Sequence, residues 1–328
     1  MATPVFQGDA AAVAQVDSLT PGGTIEAGDL FIATVTGEPT NEDAAPPTFA
    51  LSVAATGTSV ATTCADITTA WNASTSPFCT PITAANMTTY VKLTADAAGV
   101  PFYVAATTTE AGGGAADAQT FARAAVTANS GPNDWNTAAN WSTGAVPANA
   151  DNVYATDNAI SILYGLEQVG VLLASLHTEQ SFTGAIGTKL NPLHIGITAY
   201  THGEHYGTST PVGSGRINIK LDVNCTSVNV YNTALTPTDA NLTPLRICGD
   251  AGVVIASAYV KKGRVGFAIG SPSEVITITA LAISYDTQVT TDAVVQLGVG
   301  CTAPTITKTG GTLYHRGLST DVSNDGGT

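Results

Sequence analysis

RINIKLDVNC (residues 216–225) sets Ile217, Ile219, Leu221, Val223 and Cys225 at every second position, with polar residues between them. That alternation marks a strand with one buried face. The same texture returns in SVNVYN (227–232), GVVIASAYV (252–260), RVGFAIG (264–270), EVITITALAI (274–283), AVVQLGVGC (293–301), PTITKTGG (304–311) and TLYHRG (312–317). From residue 253 onward strand starts recur roughly every ten residues, with no helical segment between them. Residues 146–328 are therefore expected to form a repetitive all-β domain. Asn, Gly and Thr at the turns with Val and Ile inside favour a β-solenoid or β-helix, and a jelly-roll-like sandwich is the second choice.

Upstream lies NDWNTAANWSTGAVPANADNVYA (133–155), which holds two of the three tryptophans in the chain. Trp135 and Trp141 are flat plates large enough to close the open end of a β stack, and Pro147 then releases the chain into a strand near Val153. The rival reading is an exposed sugar-binding platform. Residues 116–145 are read as a linker carrying this tryptophan cap.

The first third has a different pattern. After an arm at residues 1–12, VAQVDSL (13–19) reads as a strand, TPGG (20–23) as a turn and TIEAGDLFIATVTG (24–37) as a returning strand. TFALSV (48–53) alternates Phe49, Leu51 and Val53. A helix is predicted near residues 59–73, where Val60, Cys64, Ile67 and Trp71 form one apolar stripe and Ser59 is the N-cap. Strands follow in FCTPIT (78–83), TTYVKLTA (88–95) and VPFYVAATT (100–108), and EAGGGAADA (110–118) closes the unit as a flexible seam. Residues 13–115 are thus expected to form a small α+β module, and the whole chain to be mainly β.

VAQVDSLTPGGTIEAGD, the VA…AWNAS of the helix and LTADAAGVPFYV together resemble a module of tailed-phage virion proteins, over residues 13–107. The family pattern has an Asn-Gly-type hairpin near residue 37, where this chain carries TGEPTNEDAAPP instead. WNTAANWSTGAVPANADNVYA is similar to a motif at the entry of repetitive β domains in phage and bacterial surface proteins. The resemblance implies a virion structural protein.

Composition narrows the function classes. Charged residues are 11% of the chain and the net charge is −14, with no Lys or Arg before Lys92. Such a surface is not suited to nucleic acid or to an acidic membrane. The N-terminus lacks the basic and apolar regions of a secretory signal, and no apolar run reaches the length of a membrane span, so synthesis in a host cytoplasm is expected. Cys64, Cys79, Cys225, Cys248 and Cys301 lack CxxC spacing and read as small hydrophobes; whether Cys64 and Cys79 pair is left open. The sequons at Asn72, Asn86 and Asn140 read as chance in a Thr-rich chain.

Candidate chemistry is thin. YTHGEHYG brings His202, Glu204, His205 and Tyr206 together, but without H-E-x-x-H spacing, and a solvated loop is the plainer reading. His177 and His194 read as satisfied edge or core histidines. GTSTPVGSG (207–215) lacks the Lys of a phosphate loop. Glu204, Asp222, Asp239 and Asp250 are the carboxylates from which a glycosidase pair would be drawn, though Asp222 falls opposite the apolar face of its strand. No catalytic, cofactor or metal site is predicted.

The resulting expectation is a non-enzymatic, homotrimeric capsid decoration (cement) protein on the outer surface of a phage head. It would bind the major capsid protein through residues 1–115 and itself through residues 146–328, with no nucleic-acid or membrane partner. The alternatives are a tail fibre or tailspike that binds or cleaves glycans, and a bacterial surface adhesin.

Overall fold

The computed structural model describes residues 2–37, 46–110, 118–203, 216–233, 243–270, 273–284, 293–319 and 321–324. The protein is mainly β and divides into two compact units, residues 11–131 and residues 1–10 with 132–328. The first unit is therefore an insertion within the second.

The inserted unit contains β1 (Val16–Gly22), β2 (Leu30–Thr36), β3 (Thr48–Ala54), α1 (Val60–Ala73), β4 (Ile82–Asn86), β5 (Val91–Ala95), β6 (Tyr103–Thr109) and β7 (Thr120–Thr127). They form two antiparallel sheets, ordered β4-β5-β1-β7 and β3-β2-β6. An α+β module does not form: one helix accompanies two sheets, so the unit is mainly β like the rest. Alternation supplies its core, with Phe31, Ala33 and Val35 buried from β2 and Val91, Leu93 and Ala95 from β5. The helix follows its stripe. Cys64, Ile67 and Trp71 are buried, Val60 packs partly buried against the same core, and the Ser59 hydroxyl accepts from the Thr62 N–H. The Trp71 indole N–H donates to the Ile82 carbonyl at 2.8 Å, tying α1 to β4.

Two expectations change here. Strand β1 runs through Pro21 and Gly22, where a turn was expected, because β7 pairs with it down to Pro21↔Phe121 and Gly22↔Thr120. The β5 ladder ends at Leu19, so the proline sits on a strand end paired on one side only. Residues 120–127, read as linker, are that β7, which is why the unit extends to residue 131. Its two ends meet, with the Val13 N–H donating to the Ser130 carbonyl at 2.8 Å. Cys64 and Cys79 are both buried free thiols, so they do not pair. The replaced hairpin falls largely outside the described residues.

The second unit holds β8 (Asn152–Ala155), β9 (Glu167–Thr178), β10 (Leu193–His202), β11 (Ile217–Leu221), β12 (Cys225–Val230), β13 (Leu245–Gly249) and β14 (Val254–Val260). It continues with β15 (Gly263–Phe267), β16 (Ile276–Ile283), β17 (Ala293–Leu297), β18 (Cys301–Thr302), β19 (Thr305–Lys308), β20 (Thr312–His315) and β21 (Asp321–Asn324). These form one curled, fourteen-stranded parallel sheet. Every ladder between the described strands of this sheet is parallel, which rules out the antiparallel jelly roll. Beyond β10 the sheet forks: Leu193–Ile195 pair with β11, and Ala199–His202 with β12. The chain then alternates between two ladders, β11-β13-β15-β17-β20 and β12-β14-β16-β19-β21.

The fork also explains RINIKLDVNC, which is two strands rather than one. It breaks at Asp222–Asn224, where the chain turns from one ladder to the other and leaves Val223 39% exposed. Inside, equivalent residues stack strand upon strand. One column runs Val153, Leu176, Tyr200, Val228, Ala258, Leu281, Ile306, Val322, and all but the last are buried. Each fully buried aliphatic side chain in such a column stabilises the fold by about 1.5–3 kcal/mol.

The first ten residues are not a free arm. Residues 2–6 lie beside β8: the Asn152 N–H donates to the Ala2 carbonyl, the Tyr154 N–H to Pro4, and the Phe6 N–H to Tyr154. The Phe6 ring meets Trp141 edge-on at 5.4 Å, and Trp141 meets Trp135 at 4.8 Å. Both tryptophans are buried with Val153, Ala155 and Ile162 at this end of the sheet. A sugar platform needs an exposed ring face, which neither offers. At the other end of the strand order β20 and β21 each pair on one side among the described residues, and Tyr314, Leu318 and Val322 are exposed.

Candidate functional site

Side chains that face away from the core on the first ladder carry most of the charge chemistry. In-register pairing puts Glu167, His194, Lys220 and Cys248 in one row across β9, β10, β11 and β13. The His194 ring bridges two carboxylates, with Nδ1 2.7 Å from Glu167 Oε1 and Nε2 3.0 Å from Asp250 Oδ2. Lys220 Nζ reaches the other oxygen of Asp250 at 2.6 Å. The Lys220 ammonium above all, with His194, holds the Asp250 carboxyl below the usual carboxylate range, against a smaller opposing effect of burial.

Beside this row is a shallow recess lined by Lys189, Pro192, Asn218, Arg246, Cys248 and Glu274. Arg246 Nη2 pairs with Glu274 Oε1 at 3.1 Å, and Glu274 Oε2 accepts the Gly270 N–H at 2.8 Å. Burial and the Arg246 guanidinium push the Lys189 amine down, and Glu274 works the other way. The recess offers N–H donors and one carboxylate, chemistry that suits a single polar group of a ligand. It holds no activated thiol. Burial, reinforced by Glu274, pushes Cys248 up to about 12, so it stays protonated at neutral pH. Cys225 and Cys64 are pushed up to about 11 by burial as well, as befits core hydrophobes.

The residues singled out by sequence fall in different places. His202 points into the core, where Thr178 Oγ1 lies 2.7 Å and Tyr200 Oη 3.0 Å from its Nδ1. Burial pushes it down to about 3, so the ring is neutral. Glu204, His205, Tyr206 and Asp239 lie outside the described residues, as does GTSTPVGSG. His177 is on the outer face of β9, stacked on Tyr154 at 4.5 Å and bonded to Ser175. Asp222 sits at the corner between the ladders and accepts the Gly170 N–H at 2.8 Å, a more specific role than solvent exposure. It does not share the Asp250 cluster.

Glu167, Lys189, Lys220, Arg246 and Glu274 were not singled out by sequence reasoning. The available signal was slight: Lys220 and Arg246 occupy polar positions within apolar strands. Among the described residues no group of three or more His, Cys, Asp or Glu could hold a metal ion, and no helix is long and apolar enough to cross a membrane.

Comparison with protein-family models, with curated proteins and with solved structures found no match. The functional reading therefore rests on the chain's own geometry and on the motifs quoted above. That geometry is a set of charges satisfied by one another from strand to strand. Such cross-strand pairs add to the pairing of adjacent strands.

Proposed function

We propose that the protein is a non-enzymatic virion structural protein of a tailed phage, a homotrimeric decoration protein that reinforces the capsid. The alternation of the chain between two in-register parallel ladders supports reading residues 132–328 as a parallel β-helix, a rigid rod suited to binding. The observation that carries the assembly reading is the far end of the sheet. There Tyr314, Leu318 and Val322 stand exposed on and beside the last strands of both ladders. Exposed apolar groups next to one-sided strand edges invite partners, and copies around an axis can cover them for one another. The inserted unit, with ten acidic residues against Lys92 and Arg123, supplies the face for a basic patch on the major capsid protein.

A construction that joins Ala10 to Pro132 tests the division of labour, because it removes residues 11–131 and keeps the segment that covers β8. The expected product is a trimer by light scattering that no longer binds capsids. A monomer, or retained capsid binding, overturns the assignment. The recess at Arg246 favours a second reading, a receptor-binding fibre. Stained gels of purified virions separate the two, since decoration proteins number in the hundreds per particle and fibres far fewer.

A further inference from the structure

The segment along β8 is bonded on both of its edges. On one side lie the three bonds with Asn152 and Tyr154. On the other, the Val5 N–H donates to Ser142 Oγ at 2.9 Å, the Ser142 N–H donates to the Val5 carbonyl at 2.9 Å, and the Gln7 N–H donates to the Asn140 carbonyl at 2.7 Å. Ala2 N–H reaches Asp151 Oδ1, and Asn158 Nδ2 donates to the Gln7 carbonyl at 2.6 Å. Phe6 is 1% exposed and fills a socket made by Trp141 and Phe182. Gly8 has φ +70°, and a Cβ there would come within 2.8 Å of the Ile160 side chain. Backbone bonds along a strand edge, an aromatic anchor in a pocket and a required glycine are the ingredients of peptide recognition by strand addition.

The segment that satisfies all of this is not continuous with the sheet it joins. All of residues 11–131 separate it from Pro132, and that unit has its own core. We propose that the β8 edge and the Phe6 socket form a peptide-binding site. Its ligand class is an extended, largely uncharged segment with an aromatic anchor followed two residues later by glycine, and residues 2–8 are its resident ligand. Association is then an intramolecular binding event, and the inserted unit is the tether. Because Val13 and Ser130 pair, that tether is short while the unit is folded. Melting the unit would replace it by a loop of the full insertion length, and the effective concentration of the segment would fall about a hundredfold.

The test uses the full chain with a specific protease site placed between Ala10 and Ala11. After the folded protein is cut and the released N-terminal fragment is removed by exhaustive dialysis, a fluorescein-labelled peptide of residues 2–10 is added and binding is read by anisotropy. Saturable binding, at least about a hundredfold weaker for the peptide carrying Phe6→Ala, is the expected result. No binding to the cut protein, or equal binding of the two peptides, overturns the proposal. Should the inserted site prevent folding, uncut full-length Phe6→Ala serves instead. Its weakened resident segment should yield to the wild-type labelled peptide, whereas the unsubstituted uncut chain should bind at least about tenfold less. Failure of the variant to take up the peptide also overturns it.

Discussion

At Trp71 the sequence pattern, the burial and an indole hydrogen bond to β4 all coincide. Trp71→Ala removes a fully buried ring and orphans the Ile82 carbonyl, and should cost about 3–5 kcal/mol in denaturant unfolding. Val60 on the same stripe is only partly buried, so Val60→Ala should cost clearly less in the same assay. His202 makes a different prediction. Its folded pKa, about 3, lies below the ordinary histidine value, so the unfolded chain binds one more proton between the two. Its contribution is intact above about pH 6.5 and should be lost at about 1.4 kcal/mol per pH unit as pH falls toward 3. Urea midpoints of wild type and His202→Gln across pH 4–7 check this; parallel curves would show that His202 carries none of the slope. The helix stripe was legible because its contacts are local, three or four residues apart. The His194 cluster was not, because its members meet only through strand pairing, and the sequence spacing between paired strands varies. Ile217 stacks on Leu245, but Leu245 stacks on the much nearer Val265.

Single elements show where alternation informs and where it misleads. The period-two runs located β12, β14 to β17 and β19 to β20 well, because each ladder strand buries one face. They could not reveal that one alternating run spans a corner. Leu221 and Val223 look equivalent in RINIKLDVNC, yet Leu221 is 1% exposed and Val223 39%. Leu221→Ala should therefore cost about 2–5 kcal/mol, and Val223→Thr less than about 0.5 kcal/mol, by chemical denaturation. Equal penalties would mean that the strand continues through Asp222. Strands β9 and β10 escaped the alternation test because both stretches mix small, polar and apolar residues, and β7 because its burial is confined to Phe121. At the helix terminus the local rule sufficed: Ser59→Ala should lower stability by about 1 kcal/mol, read as a shift in melting midpoint.

For the molecule as a whole, sequence separated a helix-bearing first part from a repetitive second part, but not the order in which the chain visits them. Nothing local in ATPVFQGDA announces that it belongs with Trp141, because the pairing spans residues with no shared pattern. This topology reverses the usual expectation about truncation. Removing residues 2–10 should damage the parallel sheet more than removing residues 11–131. Proteolysis rates and dye binding to exposed apolar surface can compare the two deletions, and a milder effect of the shorter deletion would contradict the assignment.

The Phe6 socket also fixes an order in time. The segment that closes the sheet is made before the strands it joins, and Phe182, which completes its socket, is added far later. At roughly 5–20 residues per second, the segment waits about ten to thirty seconds on the ribosome while the inserted unit folds ahead of it. Residues made before the sheet thus settle after it, and a contact so distant along the chain makes that closing step slow. Bulky N-terminal fusions, which leave mature contacts at Phe6 unchanged but hinder threading between β8 and Ser142, should lower the yield of folded protein more than the same fusions at the C-terminus.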